Sequence, residues 1–311
     1  MANLGYIQLV RICNQKCRFC SNPDTEDTLS IEAAKGKVDD FVERGYDGII
    51  LTGGEPTLCP FLHEIIQYAN EKGITPRMIT NGQKTAEREF LEGLKDAGLA
   101  HVHISVHTCK PELQAELTGN EDSLANIEKS LDMFEEFDIN VDVNIAIQSF
   151  NCDHLDQTVT WLAKRWPRLK HFVFNTLDPT SDRVLENPDT VPKLKDIELP
   201  LHRALTILRK SGRTFRVERL PLCYMVDFAW ASTETRKIVK GEERIVYFLD
   251  EKGMVRQTDF IHGKADVCAS CNLDAICAGL FDMDQGYDSG ELYPVFISPD
   301  PIISKIKADK D

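Results

Sequence analysis

A chain of 311 residues is long enough for one large domain, or one domain with a small appendage. Its 36 Lys and Arg against 50 Asp and Glu leave a net charge of −14, which repels phosphate backbones and anionic lipid and argues against nucleic acid as a partner. With 42% apolar residues, no apolar run of the roughly 18 residues a membrane span needs and no signal-peptide pattern at the N-terminus, the sequence predicts a cytoplasmic protein with no membrane partner. In chain order, strands are predicted at residues 6–11, 48–52, 75–80, 101–106, 141–148 and 171–176, and helices at 31–44, 62–71, 87–97, 124–137, 155–165 and 200–210. Six βα units imply a parallel sheet with crossovers of one hand. Six units in about 210 residues fit an α/β fold of the partial (β/α)6 TIM-type barrel kind, with binding residues at the strand C-termini.

Two strands alternate in an informative way. Val102, Ile104 and Val106 share one face, while His101, His103, Ser105 and His107 share the other. In the next strand Asp142, Asn144 and Gln148 fall opposite branched residues. Polar faces on two consecutive strands predict a lumen open to solvent or ligand, or alternatively an edge strand with one wet face. After Ser211 the pattern changes: runs at 244–249 and 254–260 flank Asp250-Glu251-Lys252-Gly253, a turn of hairpin type. The expected organisation is a barrel at 1–212, a small β-hairpin unit with a metal site at 213–297, and a loosely held tail at 298–311.

Ten cysteines are present, and in a reducing compartment clustered cysteines bind metal or do chemistry more often than they form disulfides. Cys13, Cys17 and Cys20 form one group at the end of the first predicted strand. Cys268, Cys271 and Cys277 form another, with Cys223 upstream of the hairpin, while Cys59, Cys109 and Cys152 stand alone. A tetrahedral zinc site at the first group would want a fourth ligand, and no nearby His or Cys offers one. Three thiolates on a cubane cluster leave one iron open to a chelating small molecule.

The spacing Cys13, Cys17, Cys20, with Phe19 before the last, resembles the signature of the radical S-adenosylmethionine (radical SAM) superfamily. Gly53-Gly54-Glu55-Pro56, after the second strand, resembles that family's motif for the methionine amino group of SAM. Thr80 and Asn81 at the end of the third strand, and Ser105 in the fourth, fall where related enzymes hold the methionine carboxylate, and Asn144 matches a ribose contact. The resemblance spans about residues 5–210. It implies a SAM-binding [4Fe–4S] cluster on the three cysteines, reductive cleavage of SAM to a 5′-deoxyadenosyl radical, and a one-electron reductant of flavodoxin or ferredoxin type.

The second cysteine group resembles the auxiliary-cluster region called twitch, a shortened relative of the SPASM domain, and position 281, where the longer pattern expects a further cysteine, is Phe. With Cys223 the four cysteines suffice for every iron of a second, auxiliary [4Fe–4S] cluster, although a structural zinc knuckle uses similar spacing. A fully ligated auxiliary cluster implies electron transfer or support of the fold. The implied reaction is hydrogen abstraction from a peptide or small polar metabolite, ending in epimerisation, dehydrogenation or cross-linking. Only twelve residues precede Cys13, so a ribosomal peptide substrate is expected to be presented by a separate protein. Cys109, just past the fourth strand, is the candidate hydrogen donor to a substrate radical, with Cys59 next, although most single cysteines are buried apolar groups. The alternative class, a non-catalytic iron–sulfur carrier or scaffold, would have no use for the Gly-Gly-Glu-Pro turn or a polar lumen.

Overall fold

The computed structural model describes residues 3–23, 25–250, 252–260 and 262–309; Glu251 of the expected hairpin turn, Lys310 and Asp311 of the expected tail, and Met1 and Ala2 lie outside them. The chain runs β1 (Leu4–Val10), α1 (Ile31–Glu43), β2 (Gly48–Gly53), α2 (Leu62–Glu71), β3 (Thr75–Thr80), α3 (Arg88–Asp96) and β4 (His101–Ser105). It continues through α4 (Pro111–Thr118), α5 (Ser123–Glu136), β5 (Asn140–Ile147), α6 (Leu155–Arg165), β6 (His171–Thr176), α7 (Asp182–Glu186), α8 (Leu194–Lys210) and β7 (Thr214–Glu218). Last come α9 (Thr233–Lys240), β8 (Arg244–Tyr247), β9 (Met254–Gln257) and α10 (Asp300–Ala308). No helix among the described residues is long and apolar enough to cross a membrane.

One nine-stranded sheet holds the fold together, in the order β7-β6-β5-β4-β3-β2-β1-β8-β9. The first seven strands are parallel neighbours in sequence order, β8 lies parallel against the free edge of β1, and β9 returns antiparallel on β8. The sheet is not closed. It curls far enough that Arg244 of β8 donates to Glu218 of β7 at 2.9 Å across the seam.

The strand alternation read from the sequence is the alternation that builds the core. Val102, Ile104, Val143, Ile145, Phe172 and Phe174 are completely buried between sheet and helices, while their polar neighbours turn to the concave side. The helices answer with apolar stripes at helical spacing: Ala34, Val38 and Phe41 on α1, and Leu194, Ile197, Leu201, Leu205 and Leu208 on α8. From the sequence this helix is predicted to start at Pro200, a residue type tolerated in a first helical turn. The buried Leu194 and Ile197 instead carry the helix a further turn and a half toward its N-terminus, with Pro200 inside it.

Three parts of the C-terminal third differ from expectation. The boundary expected at 212/213 falls just before β7, which hydrogen-bonds along β6 as a seventh parallel strand, burying Phe215 and Val217 and turning Arg216 and Glu218 inward. The hairpin continues the same sheet through β1 rather than standing apart from it. The stretch expected to be a loose tail forms α10, with Ile302 and Ile306 buried against α9 and the 226–231 turn. Its mixture of Pro, Asp and Lys hid an apolar pair spaced one helical turn apart.

Candidate active site at the C-terminal mouth of the barrel

The first cysteine group occupies the loop leaving β1. Backbone bonds from Lys16 N to Thr118 O (2.9 Å) and from Arg18 N to Leu117 O (3.0 Å) pin it to the end of α4, which Gly119 terminates in a left-handed conformation. Phe19 is buried with Leu117, Leu177 and Val184 in a small apolar cluster beneath the loop, and its ring meets that of His107 edge-on at 4.7 Å. Buried Gln15 donates to Ser123 at 3.0 Å. With one face anchored by these contacts, the half-buried Cys13, Cys17 and Cys20 interact electrostatically with one another. Burial pushes the Cys13 thiol up to about 11 and Cys17 higher still, while the Arg183 guanidinium opposes both shifts. Arg183 lies on α7, and nothing in the sequence singled it out, because only the β6–α8 crossover brings it beside the loop.

The glycine-rich turn is joined to that loop through the backbone. Gly54 N donates to Val10 O at 2.6 Å and Glu55 N to Ile12 O at 2.8 Å. A Cβ on Gly53, which has φ +135, would lie 2.1 Å from Val10 O, and one on Gly54 would lie 2.3 Å from the carbonyl oxygens of both Arg11 and Ile12. Both positions therefore require glycine so that the two chains can approach.

The Glu55 side chain is held inside the protein at the end of β2. Its carboxylate is 1% exposed and accepts from Thr57 N (3.1 Å), Thr57 Oγ1 (2.7 Å), Thr80 Oγ1 (2.8 Å) and Asn81 N (2.7 Å). A buried carboxylate must be satisfied, and this one is satisfied by protein groups that tie the end of β2 to the end of β3. Burial pushes its pKa up and those hydrogen bonds oppose the shift. The hydroxyl of Thr80 is committed to the same network. Asn81 remains half-buried beside the cysteines, its amide donating to Asn14 Oδ1 (2.7 Å) and toward Cys13 Sγ (3.7 Å). Ser105 ends β4 directly opposite Asn144 in the β5 register, and Asn144 accepts from Asn175. Pro56 opens the short 56–58 helical turn and is buried.

Below these residues the concave face encloses a cavity of about 1370 Å³, lined in part by His101, His103, Asp142, Asn144, Arg77 and Arg216. The predicted polar lumen is present, and its charged members on β3 and β7 add to those read from the sequence. Its lower mouth is lined by Lys305, Ala308 and Asp309 at the end of the C-terminal helix.

Of the second cysteine group, Cys223 is buried in the 222–224 turn after β7. The thiols of Cys223, Cys268 and Cys277 interact electrostatically, and burial pushes Cys223 up to about 12. Cys271 Sγ accepts from Val295 N at 3.3 Å. Of the isolated cysteines, Cys59 and Cys152 are buried, with thiols pushed up to about 11, whereas Cys109 is half-buried in the loop between β4 and α4.

Comparison with known proteins bears on the same region. GTP 3′,8-cyclase of Aquifex aeolicus is 34% identical over 159 residues, covering 48% of this chain and 49% of that one. Fe-coproporphyrin III synthase of Methanosarcina barkeri is 37% identical over 102 residues, covering 32% and 25%. The chain thus spans half or less of these relatives' length. Among solved structures, Streptococcus suis SuiB bound to S-adenosylmethionine superposes with a TM-score of 0.67 at 15% identity, over 90% of this chain and 73% of that one. The anSMEcpe structure with bound AdoMet gives 0.65 at 15% identity, over 99% and 96%. Both share the fold, an α/β partial barrel on a parallel sheet. The Radical SAM superfamily model matches residues 7–162, from the strand that delivers the cysteine loop to the helix after the fifth strand. Half the chain, including the loop and the turn bonded to it, therefore follows the pattern of one family of [4Fe–4S]- and SAM-dependent catalysts, and the chain is an enzyme of the Radical SAM superfamily.

Proposed function

We propose that Cys13, Cys17 and Cys20 hold a [4Fe–4S] cluster at the C-terminal mouth. SAM would lie against it between the backbone of the Gly53-Gly54-Glu55-Pro56 turn, Asn81, Ser105 and Asn144. The observation that carries this reading is the pair of backbone bonds joining Gly54 and Glu55 to the strand and loop that deliver the cysteines, because it makes cluster loop and cofactor turn one rigid unit. The donor set suits the group: three soft thiolates, with N–H donors to sulfur from Asn22 N at 3.4 Å and from the Asn81 amide. Among the described residues no three cysteines bring their sulfurs mutually within 4.8 Å, whereas thiolates sharing one zinc ion would stand about 3.8 Å apart. A cluster held there would supply one electron to a SAM sulfonium and so give access to 5′-deoxyadenosyl radical chemistry. In this frame Glu55 and Thr80 act as positioning residues, fixing the turn and the Asn81 backbone.

On the same reading Cys223, Cys268, Cys271 and Cys277 hold an auxiliary [4Fe–4S] cluster, and residues 213–297 serve as its unit although the sheet runs through them. The reaction is hydrogen abstraction from a peptide or small polar metabolite, leading to epimerisation, dehydrogenation or cross-linking, with a flavodoxin- or ferredoxin-type reductant. SuiB in complex with its precursor peptide SuiA shares the fold over 90% of this chain, which favours a peptide. Cys109 would return a hydrogen atom to the substrate radical in an epimerisation.

Anaerobic reconstitution tests this. The wild type should hold about eight irons per chain and form 5′-deoxyadenosine from SAM and dithionite, while the Cys13, Cys17, Cys20 triple Ala variant should hold about four irons and form none. Unchanged 5′-deoxyadenosine in the variant, or zinc at the C-terminal group, overturns the assignment. With a turned-over substrate, solvent deuterium should enter wild-type product and be lost in Cys109→Ala. A fully active Cys109→Ala enzyme removes the thiol from the reaction.

A further inference from the structure

The lower half of the lumen, remote from the cysteine loop, holds a second set of metal-ligating side chains. His101 and His103 project from one face of β4 and Asp142 from the neighbouring β5, with His103 and Asp142 paired in the β-sheet register. His101 Nε2 lies 2.8 Å from Asp142 Oδ2 and His103 Nδ1 lies 3.5 Å from the same oxygen. The two imidazoles stack with centroids 5.2 Å apart and planes 12° from parallel. One ligand atom from each of the three residues falls within 4.8 Å of the others, and among the described residues no other group of His, Cys, Asp or Glu does so.

Three features argue that this is more than a hydrogen-bonded trio. Ligands bound to one ion at about 2.0–2.1 Å stand roughly 3.3 Å apart in a tetrahedral site, and the separations from Asp142 bracket that spacing. His103 faces Asp142 through Nδ1, at 3.5 Å a loose contact, and its Nε2 is buried without a hydrogen-bond partner, so neither nitrogen is committed to a strong hydrogen bond with that carboxylate, although buried polar groups are normally paired. The cluster also opens onto the 1370 Å³ cavity rather than into packed core, leaving room for further ligands.

We propose that His101, His103 and Asp142 bind a divalent ion of the zinc class, with its remaining coordination positions open to the lumen. Two imidazoles and one carboxylate are a donor set that first-row divalent ions accept, zinc and ferrous iron among them. Arg77 and Arg216 also line this floor. They disfavour a bare cation but favour one whose open positions carry an anionic oxygen, so the site selects substrates bearing a carboxylate or phosphate group. His103 and Ser105 are two residues apart along β4, or about 7 Å. A ligand held on the ion would thus extend upward toward the mouth where the cysteine loop sits. The proposal rests on the lumen residues alone and stands whether or not the cysteine assignment holds.

The test uses the full chain with its iron in place, loaded anaerobically with zinc, freed of excess by gel filtration, and examined by elemental analysis and zinc K-edge absorption. The expected result is about one zinc per chain with a first shell of nitrogen and oxygen near 2.0–2.1 Å and no sulfur near 2.3 Å. His103→Ala and Asp142→Asn should each lower that zinc at least about tenfold, on the scale of losing a metal-supporting interaction, with iron content unchanged. Zinc that fails to bind, that shows a sulfur shell with no nitrogen and oxygen component, or that stays at the wild-type level in both variants overturns the proposal. Should His103→Ala fail to fold, the near-isosteric Asp142→Asn and the wild-type spectrum decide it.

Discussion

At the scale of single residues, the Glu55 carboxylate ties the end of β2 to the end of β3. Four donors converge on its two oxygens inside a space that excludes water. Removing the carboxylate strands two backbone N–H groups and two hydroxyls, each costing about 1–3 kcal/mol if left unpaired. Partial offset comes from no longer burying a charge, so Glu55→Ala should lose on the order of 3 kcal/mol of stability. The measurement is the denaturant midpoint of the anaerobic protein. A variant that unfolds with the wild-type midpoint, yet binds SAM less tightly, would return the carboxylate to direct contact with the cofactor.

At the scale of elements, the C-terminal helix is the part whose role changed most between sequence and structure. Asp309 beside it pairs with Arg236 at 2.9 Å and lies 3.8 Å from Arg216, and Lys305 Nζ sits 3.5 Å above the Trp230 ring. These contacts bring polar residues to the lower mouth of the lumen. Ile306 is completely buried, and a buried Ile truncated to Ala costs about 2–5 kcal/mol. Ile306→Ala should therefore lower stability by about 3 kcal/mol, read as a shift in denaturant midpoint at unchanged slope. A shift below about 0.5 kcal/mol would show that the helix is not docked as described.

At the scale of the whole molecule, burial of histidine couples folding to pH. His107 is buried between the cysteine loop and β5, where its Nδ1 accepts from Ala146 N at 3.3 Å, and desolvation holds its pKa down at about 4 against an ordinary 6.5. Below about pH 6.5 the unfolded chain takes up a proton that the folded chain refuses until about pH 4. Stability from this group is thus complete above pH 6.5 and falls as the pH drops through that window. At pH 5.5 the loss should be about 1.4 kcal/mol relative to pH 7.5. His107→Gln, which keeps an acceptor and cannot titrate, should show a pH dependence smaller by that amount between the two values. Identical slopes for the two proteins would mean that His107 protonates as readily folded as unfolded.

Period and spacing determined much of this protein. The alternation through His101–Ser105 and Asn140–Ile147 specified which side chains face the lumen, because a strand cannot turn one residue inward without turning the next outward. The cysteine spacing and the Gly-Gly-Glu-Pro turn marked the candidate site for a similar reason, since each is a local pattern written in adjacent residues. What depends on partners distant in the chain could not be read that way. Residues 214–218 were assigned outside the barrel because their place in it is set by pairing with β6. The hairpin looked separate because its partner, β1, lies some 240 residues earlier in the sequence. Arg183 reaches the cysteine loop, and Glu55 meets Thr80 and Asn81, only through crossovers that return the chain to the same end of the sheet. His101, His103 and Asp142 were each legible as lumen residues, but the parallel register of β4 and β5 alone decided that they stand together.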